Sequence, residues 1–363
     1  MEEEAKHTAE NQSTQSEGGP VPTAPRKRRR MRILILVGFL LPVLLVGLLS
    51  FLPGLKLKDD GFLYVPRGST YQSVQDSLSA MEALRFPWLF RLISTASGYS
   101  GDAAIRPGRY AINPAMSTFQ LVRNLKGGRQ TPVKLQFTSR RTKPKLAQYV
   151  TAPLEMDAGA LLKLMNDPAV AEVYGLDTAN IQLLFLPNTY EVYWTISPRE
   201  LLKKMKASYD AFWEGSRDRK AQQLGLTRRE VGVLASIVHA ETYQNSEKPR
   251  VAGVYLNRLK KDMRLQADPT VIWAIGDFSI KRVLHRHLRY DSPYNTYRVE
   301  GLPPGPINNP SPASIDAVLN AEEHEYLYFS ARADGSGYHN FSRTLLEHER
   351  KADEYRALFS QAP

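Results

Sequence analysis

The residue with the clearest chemical potential is Glu241. Thr227 followed by Glu230 has the spacing of a capping box and marks a helix start. Val231, Leu234, Ile237 and Val238 then form an apolar stripe, and Glu241 continues it. At about 100° per residue, Glu241 points within about 60° of the last three of these. A carboxyl group at the end of an apolar face is desolvated, which favours its protonated form and raises its pKa. A general acid working near neutral pH needs that property. Periodicity alone favours a plainer alternative, a rim glutamate held in a salt bridge. The residues that follow shift the balance.

A second helix is expected over Lys248–Leu259, ending in Asn257-Arg258. Arg264-Leu265-Gln266-Ala267-Asp268-Pro269-Thr270-Val271 lies beyond it, then Tyr294-Asn295-Thr296-Tyr297, then the proline-rich Gly301–Pro310. Tyr326–Phe329 reads as a strand, followed by His339, Phe341 and His348. Amides, tyrosines and a few carboxylates gathered in loops suit sugar binding. Hydroxyls and acetamido groups need donors and acceptors at fixed points, and aromatic rings cover the apolar sugar faces.

With these motifs the sequence resembles the YceG-like endolytic murein transglycosylases. The resemblance rests on Leu234-Ala235-Ser236-Ile237-Val238-x-x-Glu241, Asn257-Arg258-Leu259, Leu265-Gln266-x-Asp268-Pro269-Thr270-Val271, Tyr294–Tyr297, Gly301–Ile307 and Tyr326–Phe329. Weaker matches run upstream through Leu186–Tyr190 to Val65-Pro66-x-Gly68, so it covers about residues 60–350. It implies a membrane-anchored enzyme that cleaves peptidoglycan glycan strands without water and leaves 1,6-anhydro-muramic ends, terminating nascent strands beside peptidoglycan synthases. Glu241 would act as acid and then base, with Gln266, Asp268, Asn295 and Tyr297 positioning the sugars or orienting Glu241. The resemblance also implies that the first soluble module is LysM-like. Two positions depart from the pattern. Many relatives carry Glu-x-Glu where this chain has His239 and Glu241, and Asn188 stands where relatives often have Asp. His239 lies about 200° around the helix from Glu241, off the apolar stripe.

Competing chemistry is weaker. A two-carboxylate hydrolase needs a second acid about 5–9.5 Å from the first, and Asp268 is the candidate. Asp268 precedes a proline and could equally cap a turn. His285-Arg286-His287 lacks a carboxylate and is flanked by basic residues, so no metal is expected there. Gly301–Pro306 has no Lys-Ser/Thr end and is not a phosphate loop; its prolines are expected to form a rigid cleft wall. No cofactor is expected. A non-catalytic peptidoglycan-binding scaffold is the main alternative to an enzyme.

The elements that must position these residues follow from the rest of the 363-residue chain. Residues 1–25 are polar and Pro/Gly/Ser-rich and read as a disordered tail. The run Arg26–Arg30 with Arg32 then abuts 23 uncharged residues, Ile33–Leu55. As a helix these would be roughly 35 Å long, enough to cross a membrane. The basic flank leaves residues 1–32 in the cytoplasm and the body outside a bacterial inner membrane, crossed once. A cleaved signal peptide fits poorly, because its apolar region is shorter and ends in a small-x-small site.

Of the +11 net charge, residues 1–32 contribute only +2, so the body favours an anionic partner. That topology excludes nucleic acid. The absence of cysteine excludes disulfides and thiolate metal sites.

Strands are expected at Gly61–Val65, Arg109–Ile112 and Val133–Phe137. Helices are expected along Val74–Leu84 and from the N-cap Ser117 to Gly127-Gly128. The expected class is α+β: a transmembrane helix over 33–55, a small α+β module over 57–140, a helical connecting part over 141–225, and a mixed α/β catalytic domain over 226–363.

Overall fold

The computed structural model describes residues 26–360 apart from 333; the expected tail, 1–25, lies outside the described residues. Helix α1 (Arg26–Phe51) is the one helix among the described residues long and apolar enough to cross a membrane, over Arg30–Phe51. It stops before the expected Leu55. Pro53 has no N–H to extend the helix, and it bridges instead to Ser117, while Leu55 bridges to Leu84. The Gly54 N–H donates to the Met116 carbonyl at 3.0 Å. A side chain at Gly54 would collide with Thr118, which accounts for glycine at this crossing. Leu55 is therefore a core residue of the next unit, at 1% exposure, and not part of the apolar helix.

That unit comprises β1 (Gly61–Val65), α2 (Tyr71–Ala80), α3 (Pro87–Ser97), β2 (Gly108–Ile112) and α4 (Thr118–Lys126). β1 and β2 pair antiparallel, from Gly61 opposite Ile112 to Val65 opposite Gly108. Alternation sends Leu63 and Val65 inward, where they meet Val74, Leu78, Phe90, Tyr110 and Leu121. Ser117 caps α4 by accepting from the Gln120 N–H at 3.1 Å, and Gly127 ends it, as the sequence indicates.

β3 (Val133–Gln136) is followed by α5 (Lys143–Thr151), α6 (Ala158–Met165) and α7 (Pro168–Val173). β4 (Thr189–Val192) then pairs antiparallel with β3, Val133 opposite Val192. Val133, Leu135 and Phe137 consequently pack in the second core with Leu183, Phe185 and Leu234. The change of core falls between Leu125 and Val133, ahead of the expected boundary at 140.

The rest runs through α8 (Pro198–Trp213), α9 (Ser216–Gln223), α10 (Arg228–Glu241), α11 (Lys248–Lys260), α12 (Asp268–Ile275), α13 (His285–Leu288) and α14 (Pro312–Leu319). It ends in the hairpin β5 (Tyr328–Ala331) and β6 (His339–Ser342), then α15 (Leu345–Ser360). All sheets among the described residues are antiparallel strand pairs, so this part is α+β and mainly helical, without the parallel βαβ units that mixed α/β implies.

α10 is the central element. Val231 to Val238 are all buried, and α11 and α14 pack against it. The proline-rich segment also lies behind α10 and does not wall the cleft. Its backbone Ile307 N–H donates to Ser236 Oγ at 3.0 Å. Asn180, Gln182 and Asn309 tie the segment to the preceding helical layer through Pro304, Pro306 and Phe185 carbonyls.

Candidate active site

The Thr227–Glu230 capping box starts α10, and the helix ends at Glu241 itself because Thr242 is extended. The last turn therefore delivers the carboxyl to the floor of a cleft of about 400 Å³. Glu241 is partly exposed there, above the fully buried Ile237 and Val238. From α11, the buried Tyr255 hydroxyl donates to Glu241 Oε1 at 2.6 Å. Arg258, three residues further along the same helix face, is 7% exposed. Its donors go to the Leu327 carbonyl at 2.6 Å, the Arg264 and Leu265 carbonyls, and Gln266 Oε1 at 3.3 Å. Arg258 thus locks the 264–266 loop to the residue that leads into β5 and makes no ion pair with Glu241.

That loop carries Gln266 in a left-handed conformation, φ +51°, which costs an ordinary residue about 1–2 kcal/mol and needs support. Thr296 supplies it. Its carbonyl accepts from the Gln266 N–H at 3.0 Å and its hydroxyl from the Ala267 N–H at 2.9 Å. Asp268 opens α12 but does not cap it. Its Oδ1 accepts from the Tyr297 hydroxyl at 2.7 Å, so the carboxyl faces the cleft.

Of the residues expected from sequence, Glu241, Gln266, Asp268 and Tyr297 share this cleft, and Asn295 does not. Asn295 is fully buried. It donates to the Leu288 and Tyr290 carbonyls at 3.0 and 2.7 Å, and its Oδ1 accepts from the Tyr297 N–H at 3.1 Å. It shapes the loop that carries Tyr297. The hairpin and α15 complete the wall with Tyr328, Phe329, Ser330, His339 and His348, for which the sequence reading gave no role in the site. Tyr255 was also missed. A tyrosine one turn before the Arg258 motif was the available signal, since residues three apart share a helix face.

The Glu241 carboxyl is pushed up to about 7, chiefly by burial; the Tyr255 hydrogen bond lowers it, the charge of Asp268 raises it, and that of Arg258 lowers it. Asp268 is also raised, by burial against a smaller lowering from Tyr297. Burial raises Tyr255 and Tyr297 as well, with the neighbouring carboxylates adding to it, so both hydroxyls keep their protons. The cleft can therefore hold a protonated carboxylic acid near neutral pH. His239 points elsewhere: Nδ1 is 3.1 Å from Ser314 Oγ on α14, and burial with Lys248 nearby depresses its imidazole to about 4.

The profile of the YceG-like family matches residues 63–354, about four-fifths of the chain. The chain belongs to the YceG-like family. A Bacillus subtilis relative named endolytic murein transglycosylase is 28% identical over 309 residues, covering 80% of this chain and 83% of the relative. A Streptococcus pneumoniae protein of the same name is 25% identical over 323 residues, covering 80% of this chain but 57% of that longer protein. A crystal structure of a yceG-like protein from Listeria monocytogenes superposes with a TM-score of 0.53 at 28% identity, covering 81% of this chain and 99% of the other. The Glu241 cleft lies inside the segment that defines the family match.

Proposed function

We propose that this chain is a peptidoglycan lytic transglycosylase, a lyase that cuts the bond between N-acetylmuramic acid and N-acetylglucosamine within glycan strands. The observation that carries this reading is the Glu241 carboxyl, desolvated and held by Tyr255 on the floor of a polar, aromatic cleft. The protonated Glu241 gives its proton to the glycosidic oxygen as the bond to C1 breaks. Its carboxylate then takes the proton of the muramyl C6 hydroxyl while that oxygen closes on C1. Glu241 returns to its starting state, no water is consumed, and a 1,6-anhydro end results. One carboxyl performs both steps. Gln266, Asp268 and Tyr297 orient the sugars beside it, and Asn295 serves them by fixing the Tyr297 loop. The names of the B. subtilis and S. pneumoniae relatives support the substrate class.

The same reading takes α1 as a membrane span with its basic end in the cytoplasm. The body, at +9, then faces anionic wall polymer on the outer side, where strands emerge from synthases. The β1-α2-α3-β2 order with antiparallel β1 and β2 supports a LysM-like glycan-binding unit ahead of the catalytic part.

The test uses the full chain in detergent with nascent glycan strands, products being weighed by mass spectrometry against Glu241→Gln. Anhydro-muramic ends from the wild type alone are the expected result. Ends carrying an added water would make the enzyme a hydrolase with Asp268 as second carboxyl. Binding without cleavage would make it a scaffold.

A further inference from the structure

His339 lines the Glu241 cleft from β6, and the mechanism above leaves it without a part. It is held with unusual care. Glu247, at the start of α11, is only 4% exposed, and both its carboxylate oxygens go to this one residue. Oε1 accepts from the His339 backbone N–H at 2.8 Å, and Oε2 lies 2.7 Å from ring Nδ1. A carboxylate can only accept, so Nδ1 carries the proton and the tautomer is set. Phe329 meets the imidazole edge-on, with centroids 5.2 Å apart, and limits its rotation.

With Nδ1 turned to a buried partner, the opposite edge, carrying Nε2, is what the ring can present to the cleft. A buried acid spent wholly on fixing one half-buried histidine suits a ring whose other nitrogen must meet a ligand at a set point.

We propose that His339 is a substrate-binding residue whose Nε2 hydrogen-bonds a hydroxyl of the glycan strand, with Glu247 as the group that holds it in place. The ligand class rests on the reading of this cleft as a peptidoglycan site.

The substitutions that separate this from a purely structural role are Asn and Gln. An Asn amide can reproduce the Nδ1 contact to Glu247 but not Nε2, whereas Gln reaches the Nε2 position and gives up Nδ1. Affinity for uncrosslinked glycan strands is measured on full-length Glu241→Gln protein, and KM on the cleaving enzyme. His339→Asn is expected to weaken both by roughly 3- to 10-fold, the worth of one neutral hydrogen bond, while His339→Gln recovers most of the loss. The reverse order, or no change in either variant, overturns the proposal. Should substitution at 339 prevent folding, nitrogen-15 resonances of the histidines in Glu241→Gln protein serve instead. Glycan must then move the His339 Nε2 signal, and a static signal overturns the assignment. Absence of cleavage with His339-dependent binding intact would sink the proposed reaction and leave this site standing. Cleavage with the opposite Asn/Gln pattern would do the converse, and no binding by any variant would sink both.

Discussion

Tyr255→Phe is the most direct probe of the catalytic acid. The hydroxyl it removes sits 2.6 Å from Glu241 Oε1 and works against burial, which otherwise sets the carboxyl high. A hydrogen bond to a charged group is worth about 1.5–3 kcal/mol, and one pKa unit is about 1.4 kcal/mol, giving an upper bound of about two units. The protonated carboxyl also gains something from the hydroxyl, so the expected rise is about one unit. Because the first step needs Glu241 protonated, kcat/KM falls on the alkaline side of that pKa. The alkaline limb of the wild type should therefore centre on about 7, the value Glu241 has with the Tyr255 hydrogen bond in place, and that of Tyr255→Phe on about 8. The assay is release of anhydro-muramic ends at low substrate across the limb, with circular dichroism confirming the fold at each pH. A limb that stays put, or moves to lower pH, would show that Glu241 is not the group titrating or that Tyr255 does not stabilise its carboxylate.

Four other expectations are open to test. Glu241→Gln should stabilise the fold: the folded-state pKa lies above the ordinary carboxyl value of 4.5, so the ionised form is penalised. The penalty is absent at low pH, grows from about 4.5 to about 7, and reaches about 3 kcal/mol, which melting curves at both ends of the window would reveal. Asp268→Asn removes a like charge beside Glu241 and should move the alkaline limb to lower pH, and its products should remain anhydro ends. Asn295→Ala strands the Leu288 and Tyr290 carbonyls and should cost about 2–4 kcal/mol of stability by denaturant titration, with turnover falling as the Tyr297 loop loosens. His239→Gln, on the α14 side of α10, should keep turnover within about 2-fold, since the ring meets Ser314 and does not line the Glu241 cleft, whatever the exchange costs in stability.

Local chemistry makes much of this legible in the sequence. The Thr227–Glu230 box, the apolar stripe and the Ser117 cap are all set by residues three or four apart, and each stands where the spacing puts it. The convergence of Glu241, Gln266, Asp268 and Tyr297 on one cleft was readable only because they lie in motifs of a recognisable family. What escaped was set by long-range packing. Tyr255 reaches Glu241 through the crossing of α10 and α11, and β3 finds β4 more than fifty residues away. Asn295 misleads for a different reason. An amide in a loop is as able to bind its own backbone as a sugar, and only burial tells which. The expected helix overshot for a related cause, because Leu55 is as apolar as the exposed leucines of α1 and ends in a protein core.

The junction after α1 has a consequence for how such a body would search for its substrate. Pro53, Gly54, Leu55 and Lys56 are each bridged or hydrogen-bonded to the first module, and the Phe51 ring lies 5.0 Å from that of Phe119 on α4. A body hung on a slack tether sweeps a hemisphere, and its cleft meets polymer from any angle. With α1 as the anchor of the proposed reading, a body mounted on this joint keeps its heading as that anchor drifts, so diffusion would carry the Glu241 cleft across a single plane in one orientation. A flexible insert between Phe51 and Pro53 would return the lost degrees of freedom without touching a residue of the site.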